Sequence, residues 1–159
     1  MGDMDRVIAR FRDVKRYLAW EEEQDFERLQ QLRTSIEAHF PALIDDFYEE
    51  IRRHEGAFIV ITGGEEQVAR LKTTLHRWLE SLFCLPPDES YAQRCWQIGR
   101  RHAEIGLDPL YVIAAMSRLR SGMCRAARST WRGDSELLAE ALRSLYRRLD
   151  LDLALIQDA

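Results

Sequence analysis

Proline and glycine are scarce in this chain, four and eight of 159 residues. They cluster at a few breaks, and between the breaks apolar residues recur at helical spacing. No stretch sustains the every-second-residue alternation of a half-buried strand, so the chain reads as all-α. Cysteine is also rare: Cys84, Cys95 and Cys124 are an odd count with no Cys-x-x-Cys, which argues against a disulfide framework and fits a reducing cytoplasm. No run approaches the roughly 20 apolar residues of a membrane helix. Residues 1–6 begin acidic and lack the apolar segment of a secretory signal. Arg6 occupies the position where a myristoylation motif after Gly2 needs serine or threonine. Basic excess is missing too. The net charge is −4 and the arginines alternate with acids, as on solvated helix faces and unlike a nucleic-acid binder. There is no His-Glu-x-x-His, no zinc-type Cys/His spacing, no Gly-x-Ser-x-Gly, no Walker loop and no Gly-rich dinucleotide turn.

What is present fits one domain, residues 1–159, long enough to bury a core and still enclose a small cofactor. Hydrophobic residues at 46% and charged residues at 31% place it among ordinary soluble chains. A first helix is expected over about residues 5–18, with Val7, Ile8, Phe11, Val14 and Leu18 on one stripe. A second starts near Glu21 and turns Phe26, Leu29, Leu32 and Ile36 inward. Pro41 lies in the first turn of a third, which carries Leu43, Ile44, Phe47, Tyr48 and Ile51 and ends by Gly56. A short apolar turn over residues 57–61 and the Gly63-Gly64 break lead to a helix over about residues 65–83. Pro86-Pro87-Asp88 stops it and caps the next, residues 89–105, which Gly106 ends. Asp108-Pro109 opens a long helix to about residue 131, and Asp134 or Ser135 caps a last one running to the end. That last helix has a wide apolar arc, Leu137, Leu138, Ala141, Leu142, Leu145, Leu149, Leu153 and Ile156. The arc implies either a partner helix in a dimer or a central helix buried on several sides, and the dimer is expected.

The segment with most chemical content is residues 98–111, IGRRHAEIGLDPLY. His102 shares an inward stripe with Cys95 and Ile98 and lies near a helix end, before a Gly-x-x-Pro break. A neutral imidazole facing an apolar cleft can ligate haem iron. A satisfied core histidine has the same spacing, and spacing alone favours it. The other histidines offer less: His39 sits at a helix junction, His54 among charges, and His76 on an outer face. Tyr48, mid-way along an apolar helix, reads on its own as core. The carboxylates read as solvated outer faces.

His-x-x-Ile-Gly-Leu-x-Pro-x-aromatic resembles the proximal histidine motif of the globin-coupled sensors, haem proteins whose globin domain precedes a signalling output. Phe47-Tyr48, after its Ile-x-x lead-in, resembles the segment holding that family's distal tyrosine, and residues 70–75, RLKTTL, resemble its distal helix. The resemblance spans nearly the whole chain. It implies a globin fold with an extra N-terminal helix, no fourth (D) helix, and dimerisation through the last two helices. It implies haem b (iron protoporphyrin IX) ligated by His102, with Tyr48 as donor to the bound gas. Leu71 would screen the distal side, with Thr74 a second polar contact. Phe58, Trp78, Ile98 and Tyr111, together with Ile61, Val68 and Cys95, are expected to line the pocket, each with a plain core alternative.

The function so implied is cytoplasmic O2 sensing, with CO and NO as further ligands. The C-terminal output would be a histidine kinase, a diguanylate cyclase or a chemotaxis transducer, outside this sequence. No nucleic acid, membrane insertion or catalytic residue is expected, and the chain reads as a non-enzymatic sensor. Two alternatives remain at this level: a haem globin with NO dioxygenase or peroxidase-like turnover, and a haemless globin-fold dimerisation module.

Overall fold

Helix signals in the sequence become helices in space. The structure, a computed structural model, describes residues 2–159. Eight α-helices occur in the described residues: α1 (Asp3–Tyr17), α2 (Glu22–Ile36), α3 (Phe40–Arg53), α4 (Glu55–Phe58), α5 (Gly64–Cys84), α6 (Glu89–Glu104), α7 (Pro109–Thr130) and α8 (Ser135–Gln157). No strand accompanies them. The expected caps form. Asp88 accepts from the Tyr91 amide at 2.8 Å, Asp108 from that of Leu110 at 2.9 Å, and Asp134 from that of Glu136 at 2.6 Å.

Two local expectations change. The apolar turn of residues 57–61 begins as one helical turn, α4, because Glu55 at its start suits the helix dipole. No helix lies between it and Gly64. A 3-10 turn, Glu37–His39, joins α2 to α3.

Packing centres on α8, which lies against α6, α2, α7 and α1, while α3 lies against α5 and α7. This accounts for the wide apolar arc of α8. Ala141, Leu142, Leu145, Leu149 and Ile156 are all buried within the chain, and of the arc only Leu137, 58% exposed, is left largely in solvent. The arc therefore no longer points to a partner helix. The apolar side chains most open to solvent on the last two helices also include Leu110 and Ile113 of α7.

The core is divided. One cluster joins α2, α3, α5 and the C-terminal part of α7 to α8 through Leu29, Leu32, Phe40, Tyr48, Leu79 and Leu145. A second joins α1, α6 and the start of α7 to the last turns of α8 through Phe11, Tyr91, Cys95, Val112, Leu151 and Leu155. Leu153 packs against both. α5 belongs to the first cluster and α6 to the second, and the two helices do not pack along one another.

Not every carboxylate is solvated, contrary to the sequence reading. Asp25 and Asp152 are fully buried. Asp25 takes the Ser144 hydroxyl at 2.5 Å and Arg147 Nη1 at 3.1 Å, tying α2 to α8. Its neighbour Phe26, expected in the core, is only half-buried.

Candidate functional site

His102 is placed by the way α6 ends. Gly106 adopts φ +75°, the left-handed region that favours glycine. Its amide bonds the Ala103 carbonyl at 3.0 Å, and the Leu107 amide bonds the carbonyl of His102 itself at 3.0 Å. That paired closure is a Schellman motif, and it fixes His102 in the last turn. Gly99, one turn earlier, sets how close α6 lies to α8. A Cβ there would fall 2.1 Å from the Ile156 carbonyl oxygen.

The imidazole is half-buried, and burial pushes its pKa below the usual histidine value, so it is neutral at pH 7. Its Nδ1 is fully buried and has no hydrogen-bond partner in the chain. A buried donor left so costs about 1–3 kcal/mol. A histidine serving only as core would be satisfied. Burial keeps this one uncharged, the protonation state that metal ligation needs, and leaves its Nδ1 without an acceptor from the chain.

A separate apolar set surrounds Tyr48. Tyr48 of α3, 7% exposed, packs in the first cluster with Val68, and Ile61, Leu71 and Trp78 pack against it. Burial raises the Tyr48 hydroxyl to about 12, so it stays protonated and can only donate or accept as O–H. The Phe47 ring stands edge-on to it at 5.1 Å. On the His102 side, Cys95 is buried and Ile98 packs against the same cluster. Tyr111, in the first turn of α7, reaches across to α4, where its ring lies against the backbone at Gly56. Phe58, the last residue of α4, is half-buried.

Thr74 is less well placed. It is exposed, and its hydroxyl donates to the Arg70 carbonyl at 3.1 Å, back into its own helix. Of the remaining histidines, His54 is exposed and bonds Glu50 at 3.0 Å. His76, expected on an outer face, is half-buried, its ring edge-on to Phe40 at 5.8 Å.

Sequence reasoning missed a polar cluster where α5, α6 and α8 meet. Trp78 is more than apolar mass: its Nε1 donates to Asp152 Oδ2 at 3.0 Å, and Tyr91 Oη donates to the same oxygen at 2.6 Å. Arg148, fully buried, stacks its guanidinium 4.0 Å from the centre of the Tyr91 ring. The only sequence signal is an Arg148/Asp152 pair at i, i+4, which equally describes a solvated face.

The order and packing of these helices are those of a globin, with the neutral His102 in the last turn of α6. The globin domain of the Geobacter sulfurreducens globin-coupled sensor superposes with a TM-score of 0.80 at 24% identity, over 91% of this chain and 93% of that one. At that identity the likeness establishes the fold. The family model of protoglobin matches residues 8–159, and this chain belongs to the protoglobin family. The family implies haem binding, and the neutral, unpaired imidazole fits that group.

Proposed function

We propose that this domain is a haem-based O2 sensor: it holds haem b through His102, binds O2 reversibly, and passes its ligation state to a C-terminal output such as a histidine kinase or diguanylate cyclase. The observation that carries this reading is the His102 ring, half-buried and neutral, in the last turn of α6. Ferrous haem, when bound, supplies an open coordination position for O2, CO or NO. The chain supplies the rest. His102 holds the metal from one side. Tyr48 offers a neutral O–H from the other, and Leu71 shields that side from water. Phe58, Ile98, Trp78 and Tyr111 complete the enclosure, with Thr74 a second donor once its hydroxyl leaves the Arg70 carbonyl. Sensing further requires a partner surface. Leu110, 65% exposed, and Ile113 give α7 an apolar edge for a homodimer. No helix among the described residues is long and apolar enough to cross a membrane, which is compatible with a cytoplasmic sensor.

Absorption spectra of the ferric, dithionite-reduced and O2-exposed protein, beside His102→Ala, test this. We expect an intense haem band that shifts on reduction and again with O2, and that is lost or altered in the variant. No band after supplementation with haemin would overturn the reading. Steady turnover of NO or peroxide by the purified chain would replace sensing with an enzymatic role.

A further inference from the structure

Asp152 occupies an unusual place. It is fully buried on α8, and one of its oxygens, Oδ2, takes Trp78 Nε1 from α5 and Tyr91 Oη from α6. Its other oxygen, Oδ1, stands 3.6 Å from Arg148 Nε and has no hydrogen bond. Arg148 Nε and Nη1 are likewise buried without a partner. The guanidinium is held by the Tyr91 ring and by a long contact from Nη2 to the Ser81 carbonyl, 3.4 Å. Asp152 and Arg148, both fully buried and one turn apart on the same helix, thus stand within ion-pair reach but short of a hydrogen bond. Leaving their polar atoms without hydrogen bonds is costly, and Tyr91, Trp78 and the Cys95 thiol draw the carboxyl the other way.

α6 is also bound to α8 a second time, where the helices meet at Gly99 and Ile156. Gly99 lies three residues before His102 and Tyr91 eleven before it, on one continuous helix. A displacement of the His102 turn is therefore delivered to α8 at both points. At Tyr91 it changes the balance between the two partners of Asp152.

We propose that Asp152 is a positioning residue with two places to sit, one on Tyr91 and Trp78 and one on Arg148, and that the choice between them reports the position of the His102 helix to α8. The inference rests on the proposed function for its trigger, ligation at His102. For its geometry it rests only on the buried cluster. In the first arrangement Asp152 holds α5 and α6 to α8. In the second the two helices are released and the Arg148 pair closes within α8. This supplies the bistable element that a small movement at a ligand site needs in order to be transmitted.

The test uses the full chain, with and without haem, and the conservative variant Tyr91→Phe, which removes one donor to Asp152 and keeps the ring. Without haem, the indole N–H signal of Trp78, assigned through Trp78→Phe, is followed by NMR. Asp152 is expected to leave for Arg148 in Tyr91→Phe, so that the Trp78 N–H exchanges roughly threefold faster or more. With haem, hydrogen exchange of residues 151–157 is compared between the reduced and CO-bound protein. The wild type should show a ligand-dependent change that Tyr91→Phe lacks while its haem band is unaltered. If Tyr91→Phe does not fold, Arg148→Gln, which removes the second place, takes its position in the exchange comparison and should likewise lack the ligand-dependent change.

An unmoved Trp78 signal overturns the two positions of Asp152. A ligand response of α8 that is the same in both proteins overturns the coupling alone. A chain with no haem band overturns the proposed function and the trigger with it, and the spectrum distinguishes that case before exchange is measured.

Discussion

At the scale of single residues, the two side chains proposed to carry the chemistry are both set by desolvation. Burial lowers the pKa of His102 and raises that of Tyr48, so each is neutral for the same physical reason. Neutrality gives them opposite uses: the imidazole keeps a lone pair for a metal, while the phenol keeps a proton to donate. Bound O2 draws electron density toward itself and gains from a nearby donor, whereas CO gains less. A single hydrogen bond of this kind is worth about 1–3 kcal/mol, or roughly 5- to 150-fold in a rate or equilibrium. Tyr48→Phe is therefore expected to speed O2 dissociation within that range and to change CO dissociation much less. Stopped-flow displacement of O2 by CO measures it. Equal effects on the two gases would mean that Tyr48 acts by filling space.

At the scale of elements, the helices are joined by a few contacts that tolerate little change. The approach of α6 to α8 at Gly99 is one. A methyl there meets a backbone carbonyl, which has no rotamer to yield. Gly99→Ala should destabilise the fold by about 1–3 kcal/mol or more, the usual cost of overpacking, read as a lower denaturant midpoint at unchanged slope. The tie between α3 and α7 is of another kind. Arg118 donates to both oxygens of Asp46, each at 3.0 Å, and also approaches Glu50 at 3.4 Å. The hydrogen bond from Arg118 is the main reason the Asp46 carboxyl lies below its ordinary pKa; burial opposes it, and the charges of Arg118, Arg125 and Arg53 add to it. With the folded-state pKa depressed, the unfolded chain binds the proton more readily. The pair's contribution is thus present above the unfolded value of 3.8 and is lost as pH falls through the lower folded one. Because the pair is exposed, its worth is about 0.2–1 kcal/mol. Asp46→Asn should lose that much near neutral pH and converge on the wild type in acid, as urea titrations at several pH values would show. A constant difference across pH would assign the effect to packing.

At the scale of the whole molecule, what could be read from one sequence depended on how local its cause is. The seven longer helices were legible because proline, glycine and capping aspartates mark their ends within a few residues of chain. His102 and Tyr48 could be singled out because they lie in recurring motifs, and their roles are the ones proposed above. Asp25, Arg148 and Asp152 were not. A charged residue in an amphipathic helix looks the same whether it faces water or a partner from another element, and their partners lie 57 to 122 positions away in the chain. The meaning of the α8 arc was hidden for the same reason, since only the assembled fold shows four helices against it. The division of the core into two clusters is likewise a property of the assembly, and it has a thermodynamic consequence. α5 and α6 belong to different clusters, so a haem held between them, as proposed above, would join the two. Haem bound to the folded chain alone should stabilise it by about 4 kcal/mol when present at 1,000 times its dissociation constant. For a chain of this size, each kcal/mol raises the melting temperature by roughly 2–4 °C. The haem-loaded protein should therefore melt about 8–16 °C above the haem-free protein in calorimetry, and its extra protection from hydrogen exchange should concentrate in α4, the end of α6 and the first turn of α7. If the cofactor raises the melting temperature but protects all helices alike, it adds to a core that is already continuous. Protection confined to those segments would show that the group completes a core which the chain alone leaves in two parts.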